Sequence, residues 1–222
     1  SITKFVDEYN KIISDQHKQI HEKIHRDFKP LTKEQRDELD EKEIELWEEK
    51  AKSGTLRNDS ILSSSLSKMR SILNSAVTTA NGNMRLSDIG ITTSSNYAEN
   101  GKLVINADKL KQAITENPNG IYEMFNSDGL TTSQKGLGRQ LRDSLDDTRK
   151  KIVAKAGSDS AVNNSFSLGR TLIGFDSQIS RFEDRLKLVE TRYYNQFGAM
   201  EAAIQRANQQ SAYLMNSFGG VQ

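Results

Sequence analysis

The residues best placed to do chemistry are His21-Glu22-Lys23-Ile24-His25. Side chains four positions apart share one face of a helix. The two imidazoles of this H-E-x-x-H pattern would then grip a zinc ion while Glu22 polarises a bound water. A third ligand would come from the acidic run Glu41 to Glu49, or from His17 one turn earlier. The surroundings argue against this chemistry. A catalytic zinc requires a dry pocket and hydrogen-bonded partners that orient its ligands, whereas this stretch is flanked by Asp15, Gln16, Lys18, Gln19, Arg26 and Asp27. The Gly-x-x-His continuation of the longer protease signature is absent too, with Phe28 where the glycine belongs. The expected reading is a solvated helix face on which histidines fall in register. A zinc metalloprotease using His21, Glu22 and His25 stands as the alternative.

Other patterns are weaker. Asn126-Ser127-Asp128-Gly129 is like the middle of a calcium loop, but Met124 holds the first ligand position and Lys135 the twelfth, so a turn is expected. Gly136-x-Gly138 lacks the third glycine of a dinucleotide loop, since Leu141 stands there, and reads as a helix start. Trp47, inside the charged run Asp37 to Lys50, is expected to pack rather than bind. Asn58-Asp59-Ser60 and Asn163-Asn164-Ser165 match glycosylation acceptors, which matter in a secreted eukaryotic protein. All three histidines crowd between His17 and His25, so no Ser/His/Asp arrangement can be argued. No cofactor, no resident metal and no enzymatic activity are expected.

Composition narrows the field further. The 31 basic and 30 acidic side chains leave a charge of +1, which argues against nucleic-acid binding by bulk electrostatics. There is no cysteine, which removes disulfides, thiolate nucleophiles and Cys-ligated metals. No apolar run approaches the ~20 residues a membrane helix needs, so no membrane insertion is expected. Ser1 to Lys11 shows no basic-then-apolar leader pattern and no initiator Met, and a fragment lacking its N-terminal part is expected. Only two prolines and 35% hydrophobic residues suit long exposed helices.

The elements follow from periodicity. Leu172, Phe175, Ile179, Phe182, Leu186, Val189, Tyr193, Phe197, Met200, Ile204, Ala207, Ser211, Leu214 and Phe218 alternate steps of three and four, with one doubled four between Val189 and Phe197. That is a coiled-coil seam with a single stutter. It predicts a helix of roughly 70 Å, longer than the roughly 45 Å across a compact domain of this size. Beyond Met200 the seam thins into Ala207 and Ser211, so the last stretch is expected to order only against other chains. Ile2, Phe5, Tyr9, Ile12, Ile13 and Ile20 predict a helix ending near Pro30. Thr32 with Gln35 is a capping box opening a polar helix to about Lys52, which Gly54 stops. Asn58 or Asp59 would cap a helix striped by Leu62, Leu66, Met69, Leu73 and Ala76. Ile91 to Thr93 and Lys102 to Ile105 read as strands whose loop ends in Asn100-Gly101. Asp108 would cap a short helix stopped before Pro118. A further helix spans about Leu137 to Ala156, followed by a loop from Gly157 to Asn164. The expected fold is mostly α: an elongated helical bundle or coiled coil with one small β-hairpin unit. The expected division is a helical rod over 1–190, carrying the β unit at about 84–126, and a C-terminal leg over 191–222.

These segments together resemble the flagellar filament cap family, whose members are also called flagellar hook-associated protein 2. The resemblance rests on Leu86-Ser87-Asp88-Ile89-Gly90-Ile91, Gly101-Lys102-Leu103-Val104-Ile105, Leu110 and Ala113 before Asn117-Pro118, Met124-Phe125 and Gly136-Leu137-Gly138. It continues in Gln196-Phe197, Met200-Glu201, Ile204, Asn208, Ser211, Leu214 and Phe218. Pro30-Leu31-Thr32, Glu43 to Lys50 and Leu56-Arg57-Asn58-Asp59 look like the Gram-positive, Bacillus-like variant. Asn106 departs from the aspartate the pattern leads one to expect, and the family's preceding N-terminal leg and head region are not here. The resemblance implies a non-enzymatic assembly protein exported through the flagellar apparatus without a cleaved signal, with that apparatus or a chaperone as a partner. It implies a ring-like homo-oligomer at the distal tip of an extracellular flagellum, guiding flagellin into the filament, and in some members adhesion. Flagellin itself or a hook–filament junction protein is the neighbouring alternative. The residues expected to pack the leg are Phe175, Ile179, Phe182, Leu186, Val189, Phe197, Met200, Ile204, Leu214 and Phe218.

Overall fold

Ser1 opens the first helix, α1 (Ile2–Ile20), by accepting the Lys4 N–H at 3.5 Å. Val6, Tyr9, Ile13 and Ile20, spaced for one helical face, are its buried side chains. The computed structural model describes residues 1–218 and divides into two compact units, Ser1–Ile152 and the part from Val153 onward. Helix α1 stops at Ile20, well short of Pro30. The Ile20 carbonyl accepts the Asn58 N–H at 3.1 Å, the Glu22 carboxylate accepts the Gly54 N–H at 2.7 Å, and Arg57 donates to the Glu22 carbonyl at 3.3 Å. Residues beyond His21 thus find their partners in the distant turn 53–58 rather than in a continued helix. Gly54 and Asn58 hold positive φ there, +70° and 57°.

The polar stretch after Thr32 is two helices rather than one, α2 (Lys33–Glu38) and α3 (Glu41–Lys52). Thr32 and Gln35 form the expected capping box, and Asp40 forms a second with Glu43, leaving Leu39 extended between them. Trp47 packs on Phe28 with ring centroids 4.7 Å apart and donates its indole N–H to the Lys29 carbonyl at 2.7 Å. Asp59 caps α4 (Ser60–Asn74) through the N–H groups of Ile61 and Leu62. Leu66, Met69, Ile72 and Leu73 are the apolar side chains that α4 buries.

Two antiparallel hairpins follow. The first, β1 (Val77–Thr79) with β2 (Gly82–Met84), was not expected; the second, β3 (Ile91–Thr93) with β4 (Leu103–Ile105), was. The Asn10 side-chain amide bonds Leu103 at both its N–H (2.8 Å) and its carbonyl (2.9 Å), so α1 satisfies the free edge of β4. Asn106, not Asp108, caps α5 (Ala107–Glu116), accepting the Lys109 N–H at 3.0 Å. Asparagine, standing where the family pattern leads one to expect aspartate, thus makes a capping bond of its own. Asn117 ends α5 and caps α6 (Pro118–Asn126), with Pro118 in the first turn, where its missing N–H costs nothing. Met124, Val77 and Leu137 are fully buried in a core shared by α1, α4, both hairpins and the start of α7 (Leu137–Ala156). Burial of each such side chain is worth about 1.5–3 kcal/mol.

In the second unit, α8 (Ser167–Phe218) runs 52 residues without interruption, about 78 Å at 1.5 Å per residue. The fold is mostly α with two small hairpins, as expected in class and with one hairpin more.

Candidate assembly surface

The H-E-x-x-H pattern does not form a zinc site here. Its premise was a helix through His25, and His21 is already the C-cap of α1. His25 instead has Nδ1 2.9 Å from the Ser53 hydroxyl, and Glu22 is engaged by Gly54. Gly54 is tight against this segment: a Cβ there would lie 2.5 Å from Ile24 Cγ1. His17 and His21 stack, with centroids 3.9 Å apart and planes 21° from parallel. Partial burial, then His21 and Arg70, holds the His17 pKa below the ordinary histidine value. Among the described residues no group of three or more His, Asp or Glu side chains is arranged to hold a metal.

A polar groove of about 590 Å³ lies between α4 and α7, lined by Ser64, Lys68, Lys135, Asp143 and Asp147 among others. Its acids are already matched. Lys135 Nζ sits 2.6 Å from Asp143 and Lys151 Nζ 2.7 Å from Asp147, and these lysine contacts hold both carboxyls below the usual range. Both acids of the groove are thus held ionised in lysine pairs rather than poised to carry a proton.

The feature that stands out is α8. Phe175, Ile179, Phe182, Leu186, Phe197, Met200, Ile204, Leu214 and Phe218 are all exposed, and Val189 is half-buried. At 100° per residue these positions fall in an arc of about 100° on one side of the helix. The doubled four-residue step brings the mean period back to about 3.6, so the stripe runs straight. A pure heptad repeat would drift by about 20° per heptad. Met215, exposed at 74%, was missed: it lies five full turns beyond Phe197 and so on the same line. Its signal was hidden because it follows Leu214 directly and falls outside a strict three-four count.

The start of α8 is fixed within its own unit. Gly157, at φ +83°, leaves no room for a Cβ, which would sit 2.7 Å from the Phe166 ring. A Cβ on Gly169 would meet the Asn163 carbonyl oxygen at 2.1 Å, so the loop lies directly on the first turn of the helix. Arg170 secures it by donating to the Asn164 carbonyl at 3.2 Å. A large uncovered apolar stripe on a helix marks a candidate interaction surface.

Comparison with known proteins bears on what that face serves. The family profile described as "Flagellar hook-associated protein 2 C-terminus" matches residues 1–209. Flagellar hook-associated protein 2 of Halalkalibacterium halodurans is 40% identical over 98% of this chain and 44% of its own length. Lateral flagellar hook-associated protein 2 of Vibrio parahaemolyticus is 28% identical over 98% of this chain and 38% of its own. Flagellar hook-associated protein 2 of Thermotoga maritima is 26% identical over 99% of this chain and 33% of its own. The chain thus spans less than half the length of these relatives. No solved structure matches it.

Proposed function

Because this chain belongs to the flagellar hook-associated protein 2 C-terminus family, we propose that it is the assembly part of a flagellar filament cap. In this reading the protein is a structural scaffold, exported through the flagellar apparatus and held at the distal tip of the filament. It associates with copies of itself in a ring-like oligomer and promotes the addition of flagellin; adhesion is a further role the whole protein would carry. The stretch from residue 191 acts as the leg, and Phe175, Ile179, Phe182, Leu186, Val189, Phe197, Met200, Ile204, Leu214 and Phe218 form its packing surface.

One observation carries the reading: α8 presents a straight apolar stripe to solvent over most of its 52 residues. Monomeric proteins rarely leave so large a patch uncovered unless it serves an interface. Assembly supplies both the burial and the ordering that an isolated helix lacks. The relatives' names favour the hook-associated protein over flagellin or a junction protein.

The test is a stop codon after Tyr194 in the full-length protein of a flagellated host. The expected result is a protein that is exported and keeps the circular-dichroism melting transition of its first unit, while filaments fail to elongate. Filaments of normal length on cells carrying the truncation would remove the leg from the mechanism.

A further inference from the structure

From His21 to Asn58 the chain leaves the end of α1 and returns at the start of α4 as one arm carrying α2 and α3, neither of which buries a side chain. Hydrogen bonds close the base of the arm. The Asn58 N–H donates to the Ile20 carbonyl, the Gly54 N–H to the Glu22 carboxylate and Arg57 to the Glu22 carbonyl. All three histidines of the chain stand at this base, and they are not equivalent. The Ser53 hydroxyl gives its proton to the Lys50 carbonyl at 2.7 Å, so His25 Nδ1 donates to Ser53 and keeps that bond when the ring takes a second proton. His21 Nδ1 donates to the His17 carbonyl at 3.0 Å and also keeps its bond in either state. The His17 ring makes no hydrogen bond among the described residues. It stacks on His21 with centroids 3.9 Å apart, and the Arg70 guanidinium acts on it from α4. Arg70 is itself held by a carbonyl rather than a carboxylate: Nη2 donates to Asn100 at 2.5 Å, and Nε is buried with no acceptor among the described residues.

We propose that the base of this arm is an acid-opened clasp, in which a proton on His17 sets like charges against one another and releases the arm while the core of the first unit stays folded. The last turn of a helix ordinarily welcomes a charged histidine; His21 and Arg70 are what make it unwelcome here. The other charged groups around the base have partners of their own. Glu22 takes the Gly54 N–H, Asp59 takes the N–H groups of Ile61 and Leu62, and Lys102 beside β4 pairs with Glu99 at 3.3 Å. Tyr9, also under Arg70, stays protonated and neutral. Asp15 and Lys18, next to His17 in sequence, are exposed. The sign follows from the closed state. Partial burial, then His21, then Arg70 keep His17 neutral there, with its pKa below the ordinary value. Once the base opens, His17 takes a proton at about pH 6.5. Opening therefore binds a proton and becomes easier as pH falls below that value. This device is independent of the filament-cap reading.

Native-state hydrogen exchange of the chain, followed by NMR at about pH 7 and about pH 5 and corrected for the intrinsic pH dependence of exchange, tests it. The Gly54 and Asn58 N–H groups should lose protection at the lower pH. The Leu110 N–H, bonded to the Asn106 carbonyl in α5, should keep its own, which separates local opening from general unfolding. His17→Gln, whose side chain takes no proton, should hold the neutral-pH protection of Asn58 in acid. His25→Gln should still lose protection on acidification, since the His25 bond to Ser53 is not the one that titrates. Where His17→Gln fails to fold, ring titrations decide: the His17 midpoint should rise toward the ordinary histidine value in His21→Gln, which removes the stacked charge. Equal protection of Asn58 at both pH values in the parent, an acid loss that persists in His17→Gln, or a His17 midpoint unmoved in His21→Gln would overturn the assignment.

Discussion

Tyr9 carries a phenol into the core of the first unit, where it is only 4% exposed. Burial raises its pKa above 10, against a smaller opposing pull from Arg70. Below about pH 10 the folded and unfolded chains both hold the phenolic proton and the group is neutral toward stability. Above it the unfolded chain releases the proton first. Stability is therefore lost as pH rises from about 10 toward the higher folded value. Tyr9→Phe removes this loss, so urea midpoints measured from pH 8 to 11 should fall less steeply in the variant than in the parent. At pH 7 the two should unfold at nearly the same urea concentration, because among the described residues the Tyr9 hydroxyl makes no hydrogen bond for the variant to lose. Parallel pH profiles for the two proteins would show that the buried phenol carries no alkaline penalty. The same contrast between side-chain type and surroundings decided the histidines. His21, Glu22 and His25 have the residue types of a metal site, yet Gly54 and Ser53 claim two of them for a turn.

At the scale of elements, caps decide where helices begin. Asn106 accepts one of the first N–H groups of α5, and its own N–H reaches the Gly90 carbonyl at 2.8 Å, tying the junction of β4 and the helix to the residue before β3. Asn106→Ala should lower unfolding free energy by about 0.5–2 kcal/mol, while Asn106→Asp, an equally good cap beside a helix N-terminus, should match or exceed the parent. Chemical denaturation of the three proteins checks this; an alanine variant as stable as the parent would mean that backbone bonds alone hold the junction. Such local chemistry is legible in sequence. The Thr32–Gln35 box, the Asp59 cap and the strands around Asn100-Gly101 appear where their residues predict them. Asp40–Glu43 carried the same capping signature and Asn81-Gly82 the same hairpin dipeptide, and both were hidden inside longer stretches of uniform polar texture. The end of α1 could not be read at all. Its cause is hydrogen bonding to residues 53–58, which lie more than thirty positions away, and no periodicity encodes such a partner. The stripe of α8 was legible for the opposite reason: it is a property of one helix and depends on nothing else in the chain.

Across the whole chain, apolar burial is distributed unevenly. Every apolar side chain buried among the described residues lies between Val6 and Leu141, inside the first unit. In the second unit Gly169 is the buried position of α8, and the large side chains of that helix face solvent. A helix that buries so little draws its stability from propensity and short-range pairs, and is marginal in water unless a neighbour covers its face. The free energy of folding should therefore reside almost entirely in residues 1–152. A chain ended after Ile152 should unfold cooperatively, with a denaturant midpoint within experimental error of that of the whole protein. Residues 153–222 as a separate peptide should show helical circular dichroism that rises with concentration, because only association can cover the stripe from Phe175 to Phe218. Such a rise should vanish in a peptide carrying Phe182→Glu and Met200→Glu, which place charges in the middle of the stripe, where an interface would have to desolvate them. Helicity that is full at micromolar concentration and unchanged by those substitutions would mean that α8 is stable alone, and assembly would then have no ordering step to supply.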